Sequence, residues 1–236
     1  MIRANTRGRL TAADLQLVIL LLSRGSAHRR ASFERRLATE GPDPLLDAPD
    51  LLERLLTVRT MLVPSEALFF YVVVRHALRG AGIDDRELAD YLAALLLDFG
   101  QRDRAWRIDR HDDQRHRYLV DILADLESSG GERRFRVMVH LGNYALWLAG
   151  LFPDYIAARY LRKAGPDVRY YDTLGRRGFG MASDHSLAEE YGLAAVLRTA
   201  AERFPSLRGA LNGMSDRVLF PGPGSADRLL RDHGIH

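Results

Sequence analysis

Cysteine is absent from this chain of 236 residues. Its absence excludes disulfide bonds, thiolate metal ligands and cysteine nucleophiles. A chain without cysteine also fits a reducing compartment, so the sequence predicts a cytoplasmic protein. Lysine is nearly absent as well, because Lys163 is the single lysine among 34 basic residues. The positive charge is therefore carried almost entirely by arginine, which does not titrate near neutral pH.

The sequence also lacks an apolar run long enough to span a membrane, which takes about 18 or more residues. The N-terminus is basic and then apolar, as a secretion signal would be. However, Thr11, Asp14 and Gln16 interrupt the approach to an apolar run of only about eight residues. We therefore predict no signal peptide and no transmembrane segment.

The formal net charge is +3 and the isoelectric point is 9.4, a modest and dispersed excess of positive charge. A protein that binds nucleic acid usually carries a clustered basic stripe, so this balance does not favour that function. As an alternative, a nucleic-acid surface would use the basic segments 28–36 and 102–117. Its candidate contacts are Arg29, Arg30, Arg35, Arg36, Arg102, Arg104 and Arg107.

Hydrophobic residues make up 47% of the chain and charged residues 28%, as is typical of a globular protein. Alternating strand patterns are absent from the sequence, and apolar residues recur at helical spacing. These patterns predict an all-α fold of about eight to ten helices. One hydrophobic core can serve a chain of this length, so we predict a single domain over residues 1–236. Residues 221–236 follow a Pro-Gly-Pro-Gly turn and are predicted to form a loosely attached C-terminal tail.

Two helix starts are marked by capping residues. Thr11 with Asp14 three residues later predicts a capped helix that starts at residue 12. Asp84 with Glu87 predicts a second capped start, for a helix that ends before Gly100.

The stretch 132–151 is apolar over about four helical turns and on more than one face. A helix on a protein surface buries only one face, so this stretch is predicted to be the central helix, wrapped by others. It carries Trp147, which should be buried. The second tryptophan, Trp106, belongs to the strongly polar segment 101–118 and should be exposed.

Motifs of the common catalytic and metal sites are missing from the sequence. Of the eight histidines, only His233 and His236 fall at a spacing that suits two ligands on one helix face. There is no Gly-x-Ser-x-Gly motif, and the glycine-rich stretch 175–180 has neither a Walker lysine nor a preceding strand. We therefore predict no metal, no cofactor and no catalytic residue, and we leave enzymatic activity open.

A ligand site is the alternative that particular residues support. One side of helix 132–151 carries a histidine, an amide and an indole at spacings of three and four residues. Segment 170–181 combines aromatic and basic side chains with three glycines, which let a ligand approach the backbone. A pocket between the two would suit an anionic or aromatic ligand. Its predicted lining is His140, Asn143, Trp147, Tyr171, Arg176 and Arg177.

The competing interpretation of these residues is structural. His140 and Asn143 would satisfy buried backbone groups, while Arg176 and Arg177 would face water. Since no motif assigns chemistry, we favour a non-catalytic interaction or regulatory protein that works through a protein partner or through self-association as a homodimer. A cavity shared by His140 and one of the arginines would favour the ligand site instead.

Overall fold

The computed structural model describes residues 2–57, 64–163 and 165–219. All regular secondary structure in these ranges is helical, as the sequence predicts. The described part contains thirteen α-helices, three of which have only four to seven residues. In chain order they are α1 Ala12–Ser23, α2 Ala27–Glu40, α3 Asp43–Leu46, α4 Leu51–Thr57, α5 Glu66–Gly80, α6 Arg86–Phe99, α7 Leu119–Ser128, α8 Gly131–Leu151, α9 Pro153–Lys163, α10 Val168–Ser183, α11 Ser186–Glu190, α12 Ala194–Glu202 and α13 Phe204–Met214.

Backbone contacts group the chain into two compact units. The first comprises Ala4–Leu97, and the second comprises Met1–Arg3 together with Asp98–His236. The single domain expected over residues 1–236 stays a prediction. The predicted C-terminal tail, residues 221–236, lies outside the described residues.

The capping residues define helix starts in the first unit. Thr11 Oγ1 accepts the N–H of Asp14 at 3.2 Å, and the Asp14 carboxylate accepts the N–H of Thr11 at 2.9 Å, so the predicted start of α1 is confirmed. The start of α6 was predicted one residue too early. Asp85 accepts the N–H of the third helical residue at 2.9 Å, whereas Asp84 forms an ion pair with Arg75 of α5.

A buried ion cluster joins α5 to the turn after α3. The side chain of Arg75 is fully buried and donates from Nε and Nη2 to the two carboxylate oxygens of Asp47, at 2.7 and 3.0 Å. Arg86, which is 45% exposed, donates to the same carboxylate at 2.7 Å. Burial alone would raise the pKa of Asp47, but the hydrogen bonds from the two arginines outweigh it and lower the pKa to about 2. Asp47 therefore stays ionised at neutral pH.

In the second unit, α8 is buried along most of its length. Every residue from Val137 to Leu151 is buried. Helices α7, α9, α10 and α13 all contact α8. A helix covered from several sides has to be apolar around its circumference, which explains why the apolar residues of 132–151 are not confined to one face.

Glycines let α10 pack closely against α8. A Cβ atom added at Gly178 would lie 2.7 Å from the backbone nitrogen of Gly142 and 2.9 Å from the carbonyl oxygen of Met138. At Gly142 itself, an added Cβ atom would clash with the ring of Phe179. Glycines within an apolar segment can break a helix or let two helices pack closely. The segment is one continuous helix, and close packing is the role of Gly178.

Trp106 is buried, and the prediction that it is exposed is wrong. Its exposed fraction is 5%, compared with 8% for Trp147. The main-chain N–H of His116 donates to the Trp106 carbonyl oxygen at 2.7 Å. The Arg117 guanidinium lies 5.0 Å from the centre of the Trp106 ring, in cation–π geometry.

Ion pairs explain how so polar a segment folds back onto the unit. Arg104 is buried, and its Nε lies 2.8 Å from the carboxylate of Asp98. Arg133 of α8 lies 2.6 Å from the carboxylate of Asp112 and 2.6 Å from that of Asp125. Ion pairs thus attach this segment to the unit, whereas other segments are attached by apolar side chains. A hydropathy pattern does not show which charged residues are paired.

The burial of both tryptophans can be measured by fluorescence quenching. In the single-tryptophan variants Trp106→Phe and Trp147→Phe, we expect iodide to quench the remaining indole several-fold less than it quenches free N-acetyltryptophanamide. The physical reason is that an anion in water cannot reach either ring. The Trp147→Phe variant retains only Trp106. Strong quenching in that variant alone would show that Trp106 is exposed and would contradict the structure.

Candidate functional site

A cavity of about 630 Å³ opens in the second unit among α7, α8, α9 and α10. This volume lies within the range of small-molecule sites, roughly 300–1,000 Å³. Five tyrosines and two arginines line it together with apolar side chains, and its lining includes no carboxylate. The lining residues are Arg117, Tyr118, Leu119, Val120, Tyr144, Leu148, Tyr155, Arg159, Pro166, Tyr170 and Tyr171.

Helical spacing explains how the walls are built. Tyr144 and Leu148 are four residues apart on α8, and Tyr155 and Arg159 are four apart on α9, so each pair lies on one face of its helix. The Tyr144 hydroxyl donates to the main-chain carbonyl oxygen of Arg117 at 2.7 Å. This hydrogen bond ties the end of segment 101–118 to α8 at the edge of the cavity.

Of the two arginines in the lining, Arg159 is the less exposed. Its Nη1 donates to the Tyr155 hydroxyl at 3.1 Å. Its Cζ lies 5.2 Å from the centre of the Tyr118 ring and 5.7 Å from that of Tyr155, so two aromatic rings flank the guanidinium.

The hydrogen-bonding capacity of Arg159 is incompletely used. Its Nε is buried and has no hydrogen-bond partner among the described residues. Nor does any carboxylate of that part of the chain lie within 4.0 Å of its guanidinium, whereas the buried Arg75 and Arg104 both have an aspartate partner. A buried donor that is left unpaired costs free energy, and Arg159 carries such a donor in the lining of the cavity.

Two of the lining tyrosines, Tyr144 and Tyr171, carry neutral hydroxyls. Burial raises the pKa of Tyr171 to about 12, and it raises the pKa of Tyr144 well above the ordinary tyrosine range. Both hydroxyls therefore keep their protons at neutral pH, and the formal charges on the lining are those of Arg117 and Arg159. Chemically, the cavity offers aromatic faces and cationic donors together, which suits an anion with an apolar body.

The predicted ligand residues fall into three groups. Tyr171 lines the cavity, while Arg176 and Arg177 are exposed to solvent and are not among its lining residues. His140 and Trp147 are buried behind the cavity in an aromatic cluster with Phe99, Tyr144 and Phe152. Asn143 is buried as well.

The cavity lies against the two helices on which we predicted the site, but it is lined mainly by other side chains. Joint ligand binding by the six predicted residues stays a prediction.

His140 has the environment of a core residue. It is 3% exposed, and its ring centre lies 5.6 Å from that of Phe99 and 6.0 Å from that of Tyr144. Burial, aided by the nearby charge of Arg104, lowers the pKa of His140 well below its ordinary value. The imidazole is therefore neutral at neutral pH.

Sequence reasoning missed Tyr155 and Arg159 on α9 and Tyr118 before α7. One signal was available, since Tyr155 and Arg159 are four residues apart, a spacing that would place an aromatic ring and a cation on one face of a helix. Nothing in the sequence shows that Tyr118, some forty residues away in the chain, packs against the same guanidinium.

The arginines of the nucleic-acid alternative are largely engaged with acids or carbonyl groups. On α2, the Nε of Arg30 lies 2.9 Å from Glu34 and the Nη2 of Arg36 lies 3.2 Å from Glu40. Arg107 donates to the carbonyl oxygen of Asp112 at 2.5 Å. Arg104 is buried and paired with an aspartate, so its assignment as a nucleic-acid contact has to be corrected. The exposed arginines that remain in this set are Arg29, Arg35 and Arg102.

Residues 2–57, 64–163 and 165–219 contain neither a candidate metal site nor a candidate membrane-spanning helix. Within them, no group of three or more histidine, aspartate or glutamate side chains could hold a metal ion. None of the helices described above combines the length and the apolar character needed to cross a membrane.

Comparison of the sequence and the structure with protein-family models, curated proteins and solved structures finds no match.

Proposed function

We propose that this protein binds a small organic anion with an aromatic or apolar body in the cavity beside Arg159. The observation that carries the proposal is a partly buried guanidinium, flanked by two tyrosine rings, that has an unused donor and no carboxylate partner among the described residues. A carboxylate, sulfonate or phosphate oxygen would accept that donor in a charge-assisted hydrogen bond.

The remainder of the lining suits the body of such a ligand. Tyrosine faces and the apolar side chains of Leu119, Val120 and Leu148 would pack against a ring system or a short aliphatic chain. Arginine and tyrosine ordinarily hold their protons at neutral pH. General acid–base catalysis works best with a group that exchanges its proton near the working pH, so the lining supports binding more than catalysis.

A matched pair of fluorescent probes tests the proposal. The anion 8-anilinonaphthalene-1-sulfonate and the neutral N-phenyl-1-naphthylamine share an aromatic body and differ in the sulfonate. In the variant Arg159→Gln, we expect the affinity for the sulfonate to fall about tenfold, the equivalent of about 1.4 kcal/mol, because one charge-assisted interaction is lost. The affinity for the neutral probe should change less than twofold.

The control is Arg177→Gln, which removes an exposed arginine of α10 that is not among the lining residues. It should leave both affinities unchanged. The proposal fails if Arg159→Gln and Arg177→Gln weaken the sulfonate to the same extent, since the effect would then reflect net charge. It also fails if Arg159→Gln weakens both probes equally, which would indicate a general loss of structure.

We also propose a role in protein interactions, a cytoplasmic location and a central position of α8, each supported by one observation. The role in protein interactions is supported by exposed large apolar side chains, among them Val120, Tyr160 and Leu161. A cytoplasmic location is supported by the lack of cysteine. The position of α8 as the central helix of the chain is supported by its burial from Val137 onward.

A further inference from the structure

Within the described residues, the outward face of α9 is largely exposed, since Asp154, Leu161 and Arg162 are exposed and Ala158 is half-buried. Among residues 153–162, Ile156 is the one buried side chain. Asp154, Ala158, Leu161 and Arg162 follow one another at i, i+4, i+7 and i+8, so they form a single stripe on the side of the helix away from Ile156. Leu161 is 81% exposed, and an exposed leucine between charged residues is a candidate contact.

The charges of this stripe are arranged symmetrically about Ala158. Asp154 lies four residues before it and Arg162 four residues after it. No ion pair joins either of them to another described residue. If two copies of α9 met antiparallel with Ala158 at the two-fold axis, Asp154 of each copy would lie opposite Arg162 of the other. Such a surface is complementary to itself, which is the property of an isologous two-fold contact.

We propose that a second copy of this chain covers the α9 stripe through an antiparallel helix pair centred on Ala158. The small side chains of Ala157 and Ala158 let the two helix axes approach to the lower end of the usual range of about 8–10 Å. Each Leu161 then packs beside Ala158 of the other copy, and two Asp154–Arg162 pairs close the ends. A contact of two helical turns is smaller than the interfaces of stable dimers, which bury about 1,200 Å² or more. The dimer is therefore weak and reversible.

Because the chain contains no cysteine, a single introduced thiol reports this contact specifically. In Ala158→Cys, the two sulfur atoms meet across the two-fold axis, where a disulfide requires Cα atoms about 4.4–6.8 Å apart. Under mild oxidation, we expect the disulfide-linked dimer to form at least tenfold faster than in Ala195→Cys, whose thiol stands on the exposed side of α12. Equal rates in the two variants would overturn the proposal.

Charge reversal tests the register of the pair. In the Ala158→Cys background, Asp154→Arg places four arginines along the contact and Arg162→Asp places four aspartates there, so each variant alone should cross-link several-fold more slowly. An equimolar mixture restores both opposite-charge pairs and should recover the rate through a heterodimer. Recovery also shows that the slow variants are folded, whereas a mixture no faster than its components would refute the antiparallel arrangement.

Discussion

Replacing Gly178 with alanine should lower the free energy of unfolding by about 3 kcal/mol, which is near the upper end of the cost of overpacking a core. The added methyl group would lie 2.7 Å from the backbone nitrogen of Gly142 and 2.9 Å from the carbonyl oxygen of Met138. Backbone atoms of a buried helix cannot rotate away as a side chain can, so α8 and α10 would have to separate. Urea unfolding followed by circular dichroism at 222 nm measures the loss.

Gly180, two residues further along the same helix, provides the matched control. A Cβ atom there would meet nothing within 4 Å. Alanine stabilises a helix interior by up to about 1 kcal/mol relative to glycine, so Gly180→Ala should raise the free energy of unfolding. Opposite signs for the two substitutions are expected, and a similar loss for both would show that the close approach of α10 to α8 is absent.

Replacing Arg75 with methionine should lower the free energy of unfolding by about 3–5 kcal/mol, the usual cost of removing one partner from a buried ion pair. The loss arises because the Asp47 carboxylate would keep its charge in a partly buried site without its main hydrogen-bond donor. Arg86→Met removes a donor from the same carboxylate but from a half-exposed position. Its cost should be about 0–1 kcal/mol, and equal costs for the two variants would contradict the structure.

The pH dependence of stability follows from the lowered pKa of Asp47. A carboxylate whose pKa is about 2 in the folded chain and about 4 when unfolded contributes stability above pH 4, and this contribution is lost as the pH falls from 4 towards 2. In the Arg75→Met variant, the folded pKa rises because its main donor is gone. The stability of that variant should therefore depend less on pH across the same interval.

Local signals in the sequence were sufficient for the helical class of the fold and for some helix boundaries. The Thr11–Asp14 capping box forms as predicted, because both partners lie within one turn and need no tertiary contact. The start of α6 shows the limit of such reasoning. Asp84 and Asp85 are equally suitable caps in the sequence, and the ion pair with Arg75 decides between them.

The candidate site could be located only approximately from the sequence, because its contacts join distant parts of the chain. Tyr171 was identified from its neighbours in the sequence. Arg159 was not, because the ring that packs against its guanidinium belongs to Tyr118, which precedes α7. Composition likewise shows that segment 101–118 is charged, but it does not show which charges are paired. For that reason Trp106 was expected at the surface, although ion pairs and Arg117 hold it inside.

The two helices that face each other across the cavity differ in how they are held. α10 meets α8 through backbone contact at Gly178, and it also contacts α12 and α13. α9 buries one side chain, Ile156, within residues 153–162, yet it supplies Arg159 and Tyr155. Among the described residues, α9 is thus the more lightly packed of the two helices, and if the cavity binds a ligand as proposed, a bulky one would displace α9 before it displaced α10. On that proposal, the size of ligand that the cavity accepts would depend on how far α9 can move, and Arg159 would move with it.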